Sequence, residues 1–127
     1  MVPHQDYKEI GQLVSDYFKR VAPKSVKVDI KFLHGGQGYV CPIDMPAYKA
    51  DERGVEMVFG KRHLAARLGG SIPIISTFEQ ILGVKTILMG FGLESNAIHS
   101  PNENMPLSMF RKGIEAVVNF HLEYDKF

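Results

Sequence analysis

Hydrophobic and polar positions change rhythm several times along the chain. Tyr7, Ile10, Leu13, Val14, Tyr17, Phe18 and Val21 recur at steps of three and four, the spacing that gathers side chains on one helix face. This predicts a helix over 6–21. Asp6 caps it, Glu9 completes a capping box three residues on, and Pro23 stops it. Over 26–33 the period drops to two: Val26, Val28, Ile30 and Phe32 alternate with Lys27, Asp29 and Lys31. That predicts a half-buried strand with one wet face. A second helix is expected over 45–59, with Asp44 as candidate cap, Pro46 in the first turn and Gly60 behind it. Gly54 in its interior is unfavourable by about 1 kcal/mol relative to Ala.

The rhythm continues with a short strand near 64–67, the turn Gly69-Gly70-Ser71, and a helix over 73–82 followed by Gly83. A buried strand is expected at 85–91, then a long loop from Gly92 to Met105. Pro106 opens a last helix with Leu107, Phe110, Ile114, Val117, Val118 and His121 on one face. Alternation of helices and strands after residue 45 predicts an α/β fold with a mostly parallel sheet under helices. Functional groups of such sheets gather at the carboxyl ends of the strands. Gly69-Gly70-Ser71 and the loop carrying His99 fall there. The glycine-rich run His34-Gly35-Gly36-Gln37-Gly38 is where a domain crossing is expected.

The length of 127 residues leaves room for one domain or parts of two. Apolar residues at 45% and charged ones at 23% exclude collagen, low-complexity disorder and a disulfide scaffold. Fifteen basic and fourteen acidic side chains leave a formal charge of +1. No strong field follows, so neither nucleic acid nor an anionic membrane is an expected partner. Cys41 is the single cysteine; it allows no internal disulfide and no thiolate cluster, and it suits a reducing, cytoplasmic compartment. The stretches Ile72–Ile75 and Ile87–Met89 are far too short to span a membrane, and the opening residues lack the apolar core of a signal peptide. Export on a peptide outside this sequence stays open.

Candidate chemistry is sparse. His99, in the polar run Asn96–Asn104, has two readings: a metal ligand, with Glu103 orienting it or a neighbour, or an exposed loop histidine. One histidine is not a metal site, since zinc takes three or four protein ligands, so composition favours the second. Gly69-Gly70-Ser71 ahead of a helix suits a carboxylate or phosphate on free N–H groups, or a plain connection. His34 either touches a ligand or marks a strand end. His4, His63 and His121 read as structural or exposed. Arg67 reads as a surface ion-pair partner before an anion ligand, and Cys41 as an inert thiol. There is no nucleophile elbow, P-loop, dinucleotide fingerprint or His-Glu-x-x-His helix.

Taken in order, Val2-Pro3-His4-Gln5-Asp6, Leu33-His34-Gly35-Gly36, Pro42-Ile43-Asp44-Met45-Pro46-Ala47-Tyr48, Arg67-Leu68-Gly69-Gly70-Ser71-Ile72-Pro73 and His99-Ser100-Pro101-Asn102-Glu103 carry a resemblance. The chain resembles the C-terminal end of the two-zinc metallopeptidases of the carnosinase, aminoacylase and glutamate-carboxypeptidase family, above all the dipeptidase branch. The last two runs are the specific ones.

The resemblance implies a three-layer α/β catalytic portion over 36–127 and the end of an α+β lid, or dimerisation, domain over 1–35. It implies that His99 ligates one zinc of a pair, and that His34, Gly70 and Ser71 hold the substrate's carboxylate end. Glu103 matches a family position to which no role is assigned. It further implies a dipeptide substrate, with aminoacylase or carboxypeptidase activity as the alternatives within the family. The family's remaining metal ligands, its general base and its carboxylate-gripping arginine have no counterpart in the chain. The expectation is therefore a fragment, cut within the lid, that is inactive and metal-free alone and self-associates through residues 6–33. A non-catalytic self-associating domain is the alternative outside the enzymes.

Overall fold

The computed structural model describes residues 2–67 and 72–127. Among those residues four α-helices follow one another: α1 (Tyr7–Val21), α2 (Pro46–Phe59), α3 (Ile74–Leu82) and α4 (Leu107–Tyr124), with a 3-10 turn at Glu94–Asn96 between α3 and α4. The helical periodicity finds all four within a residue or two. Asp6 caps α1 as expected, its Oδ1 accepting from the backbone N–H groups of Lys8 at 2.8 Å and Glu9 at 3.0 Å. Gly60 and Gly83 close α2 and α3 in the left-handed region, at φ of 69° and 66°, a conformation that glycine enters without a Cβ penalty. The expected cap on α2 is displaced: Met45 rather than Asp44 is its N-cap, with no side-chain bond. Pro46, first in the helix, has no N–H, so this helix start has one donor fewer to satisfy.

The expected sheet does not occur among the described residues. Among the described residues no strand forms, so the three-layer architecture with mostly parallel strands and the helix-strand lid remnant are both corrected to a helical arrangement joined by irregular segments. Residues 26–33, 64–67 and 85–91 enter no ladder. Alternation dictates which way side chains leave the backbone; a ladder also needs a neighbouring strand to exchange N–H and C=O groups with. Part of the alternation survives, with Val28 and Ile30 half-buried between exposed Lys27, Asp29 and Lys31. The segment 85–91 is not buried either, and Leu88 is 53% exposed.

Contacts gather the chain into two compact units, Met1–Val40 with Arg67–Thr86 and Cys41–Ala66 with Ile87–Phe127. In the first, Tyr7 stacks on Phe32 with ring centroids 6.1 Å apart. Glycines allow this: a Cβ on Gly35 would stand 2.4 Å from the Tyr7 ring, and one on Gly11 would stand 2.5 Å from the Phe32 ring. The Tyr39 hydroxyl donates to the Thr86 carbonyl and accepts from the Thr86 N–H, each at 2.9 Å, tying two irregular segments together. Leu13, Val14, Tyr17, Phe18 and Val21 of α1 remain about half exposed, and no α1 residue is buried.

The second unit is built on the crossing of α2 and α4. Ala50 and Ala116 are fully buried there. The Phe91 ring stacks on Phe59 at 6.2 Å and lies against Gly113. At the rim Arg53 of α2 reaches Glu123 of α4 at 3.7 Å, and Lys126 also bonds Glu123. None of the helices found among the described residues is long and apolar enough to cross a membrane.

Candidate functional site

The loop between Gly92 and Pro106 is held from within. Asn96 is 3% exposed. Its Oδ1 accepts from the Leu93 N–H at 3.1 Å, and its carbonyl accepts from the Asn104 N–H at 3.0 Å. These bonds draw the two ends of the run 96–104 together. The chain between them turns through Ala97 at φ 52°, His99 at φ 60° and Asn102 at φ 64°. Left-handed backbone is uncommon outside glycine and costs most where the side chain is not Asn or Asp. The Ala97 carbonyl accepts from Ser100, and the Ser100 carbonyl accepts from Glu103. Glu103 Oε2 accepts from the His99 backbone N–H at 3.3 Å, so the carboxylate holds the backbone that carries the histidine. The His99 side chain itself is exposed.

His34 is exposed as well and belongs to the first unit, whereas His99 belongs to the second. The glycines after His34 serve packing: Gly35 admits the Tyr7 ring, and a Cβ on Gly36 would stand 2.8 Å from Pro73 Cβ. Gln37 Nε2 donates to Asp6 Oδ2 at 2.7 Å, linking this run to the α1 cap. The N–H groups of Glu9, then Gln37 and Lys8, hold the Asp6 carboxyl below the usual carboxylate range. The other two expected substrate contacts, Gly70 and Ser71, lie outside the described residues.

No set of three His, Cys, Asp or Glu side chains that could hold a metal ion occurs among the described residues. His99 supplies one imidazole, short of the three or four protein ligands that a zinc centre takes. The Cys41 thiol is directed to the Pro42 carbonyl at 3.7 Å.

A residue that the sequence reading passed over is Asp51, buried on the inner face of α2. Its signal is positional: it lies four residues after Ala47 and three before Gly54, on the stripe of α2 that carries small residues. Burial pushes its carboxyl above the usual range, against the pull of His63.

Comparison with known proteins extends the picture. Residues 4–123 match Peptidase family M20/M25/M40. The chain is 30% identical over 117 residues to the Cys-Gly metallodipeptidase dug1 of Schizosaccharomyces pombe, covering 90% of this chain and 25% of that protein. It is 27% identical over 126 residues to a human Beta-Ala-His dipeptidase, covering 97% of this chain and 25% of that one. Among solved structures, that of the di-peptidase Dug1p from Saccharomyces cerevisiae superposes with a TM-score of 0.86 at 26% identity, over 100% of this chain and 27% of that chain. The chain thus spans about a quarter of the length of the curated relatives it matches.

Proposed function

The chain belongs to peptidase family M20/M25/M40, and on that premise we propose that the protein it forms part of is a metal-dependent dipeptidase. Its substrates are dipeptides with a free C-terminal carboxylate, of the kind that the names of its relatives describe, Cys-Gly and Beta-Ala-His. In this reading residues 36–127 are the C-terminal part of the catalytic portion and residues 1–35 the end of the lid. The observation that supports it best is the run Asn96–Asn104, in which the Glu103 carboxylate and the buried Asn96 hold a strained loop with the His99 side chain exposed.

Within this reading His99 contributes one ligand to a zinc centre. His34, Gly70 and Ser71 take the carboxylate end of the substrate, His34 with its imidazole, Gly70 with its backbone and Ser71 with its hydroxyl. One imidazole is short of the ligands that a zinc centre takes, and in this reading the chain by itself turns over no dipeptide. A cytoplasmic setting accords with its single cysteine.

The test is His99→Ala in the whole protein, assayed on Cys-Gly and on Beta-Ala-His with metal content measured alongside. Lost turnover together with lost metal is expected. Unchanged turnover at saturating zinc refutes the assignment of His99 as a ligand.

A second reading applies to the chain as it stands: it self-associates. The exposed apolar stripe of α1, from Leu13 to Val21, supports it, because each such side chain gains roughly 1.5–3 kcal/mol on full burial. Light scattering on the chain at micromolar concentration tests it, and a clean monomer refutes it.

A further inference from the structure

Asp51 is a charged group in an apolar place. Its side chain is 5% exposed, and Oδ1 has no hydrogen-bond partner among the described residues. Oδ2 lies 3.6 Å from Nε2 of His63, four residues beyond the end of α2. The His63 ring stands edge-on to Tyr48, with centroids 5.2 Å apart and planes at 77°. Tyr48 and Asp51 are one turn apart on α2, so the imidazole rests on both. Beside it Arg62 bonds Glu56 Oε2 at 2.8 Å and reaches Glu52 at 3.6 Å.

The segment 61–66 is therefore tied to α2 at two successive positions, Arg62 and His63. The Arg62 tie carries a permanent cation. The His63 tie depends on a proton, because an imidazole is a cation only when both ring nitrogens carry one.

We infer that Asp51 and His63 form a protonation-dependent latch that holds the chain after α2 onto that helix, closed in mild acid and loosened as pH rises. When the imidazole is charged, its cation offsets the buried carboxylate. When it is neutral, Asp51 remains as a buried anion with one oxygen unpartnered, a costly arrangement.

The other charges around the pair do not replace that cation. Glu52, next along α2, raises the Asp51 carboxyl further. Arg62 is engaged by Glu56 and Glu52. Tyr48 is neutral, its hydroxyl pushed up by burial first, then by Glu52, Asp51 and Cys41. From the packed helix α4, Glu123 is taken by Arg53 and Lys126.

The direction follows from linkage. The buried carboxyl holds its proton more tightly folded than unfolded. Its contribution is complete below the unfolded aspartate value, about 3.9, and is lost as pH rises through the raised folded value.

The test is amide hydrogen exchange of residues 61–66 in this chain at pH 5.5 and pH 8, corrected for intrinsic rates, in wild type and Asp51→Asn. Wild type is expected to lose protection several-fold at pH 8, and Asp51→Asn is expected to lose none. An equal loss in both, or none in wild type, overturns the latch. An independent reading needs no Asp51 variant: the carboxyl carbon of Asp51 should titrate above ordinary aspartates and higher still in His63→Gln. Titration at the ordinary value, or no response to His63→Gln, overturns it equally.

Discussion

A Cβ on Gly54 would stand 2.8 Å from the backbone nitrogen of Phe120 and 3.1 Å from its Cα. The obstacle is backbone, not the end of a movable side chain, so the two helices cannot make room without separating. Gly54→Ala should therefore destabilise the second unit by about 1–3 kcal/mol, although alanine is the better helix former by about 1 kcal/mol. Urea denaturation measures it. A variant more stable than wild type would show that the crossing tolerates a methyl group.

Gly60 makes a useful contrast. Nothing lies within 4 Å of a Cβ built there, yet its φ is 69°. Gly60→Ala should cost about 1–2 kcal/mol through backbone strain alone. Gly60→Asn should cost less, since asparagine tolerates the left-handed region. Equal losses from Ala and Asn in the same denaturation series would point to some cause other than the dihedral.

The α1 cap should respond to acid. The Asp6 carboxyl is held below the usual range by its bonds from Glu9, Gln37 and Lys8. Its stabilising contribution is thus present above the unfolded value, about 3.9, and lost as pH falls through the depressed folded one. Helical circular dichroism between pH 6 and pH 2 should show α1 weakening over that range. Asp6→Asn should remove that dependence while keeping a capping oxygen.

In the loop, Asn96→Ala should cost about 1–3 kcal/mol, because it leaves the Leu93 N–H without its acceptor. Ala97→Gly should stabilise by up to about 1 kcal/mol. It relieves the strain at φ 52° but gives part of it back as unfolded-chain entropy. Thermal melts of the two variants should move in opposite directions. Shifts of the same sign would contradict this account of the turn.

For self-association, Phe18→Asp places a charge in the exposed stripe of α1. Sedimentation velocity should show a lower mean mass than for wild type at equal concentration, with helical content kept. An unchanged distribution would remove α1 from the contact.

Three things were legible in the sequence alone. The four helices were, because 3.6-residue periodicity, proline in a first turn and glycine behind a last one are local signals that need no distant partner. The Asp6 cap was, because the oxygen that makes it, Oδ1, reaches no further than the N–H groups of Lys8 and Glu9. The family was too, through five runs of residues in a fixed order.

Tertiary structure decided the rest. The alternation at 26–33 could not announce that no ladder would form among the described residues, because pairing belongs to a neighbour and not to the strand's own side chains. Gly54 read as a local cost until Phe120, sixty-six positions away, turned it into the condition for a helix crossing. Asp51 was passed over in the pattern of α2. It became a buried anion only when α2 turned that face inward and the chain after it brought His63 within 3.6 Å. Burial and proximity are set by the packing of distant segments, and a local pattern carries no record of them.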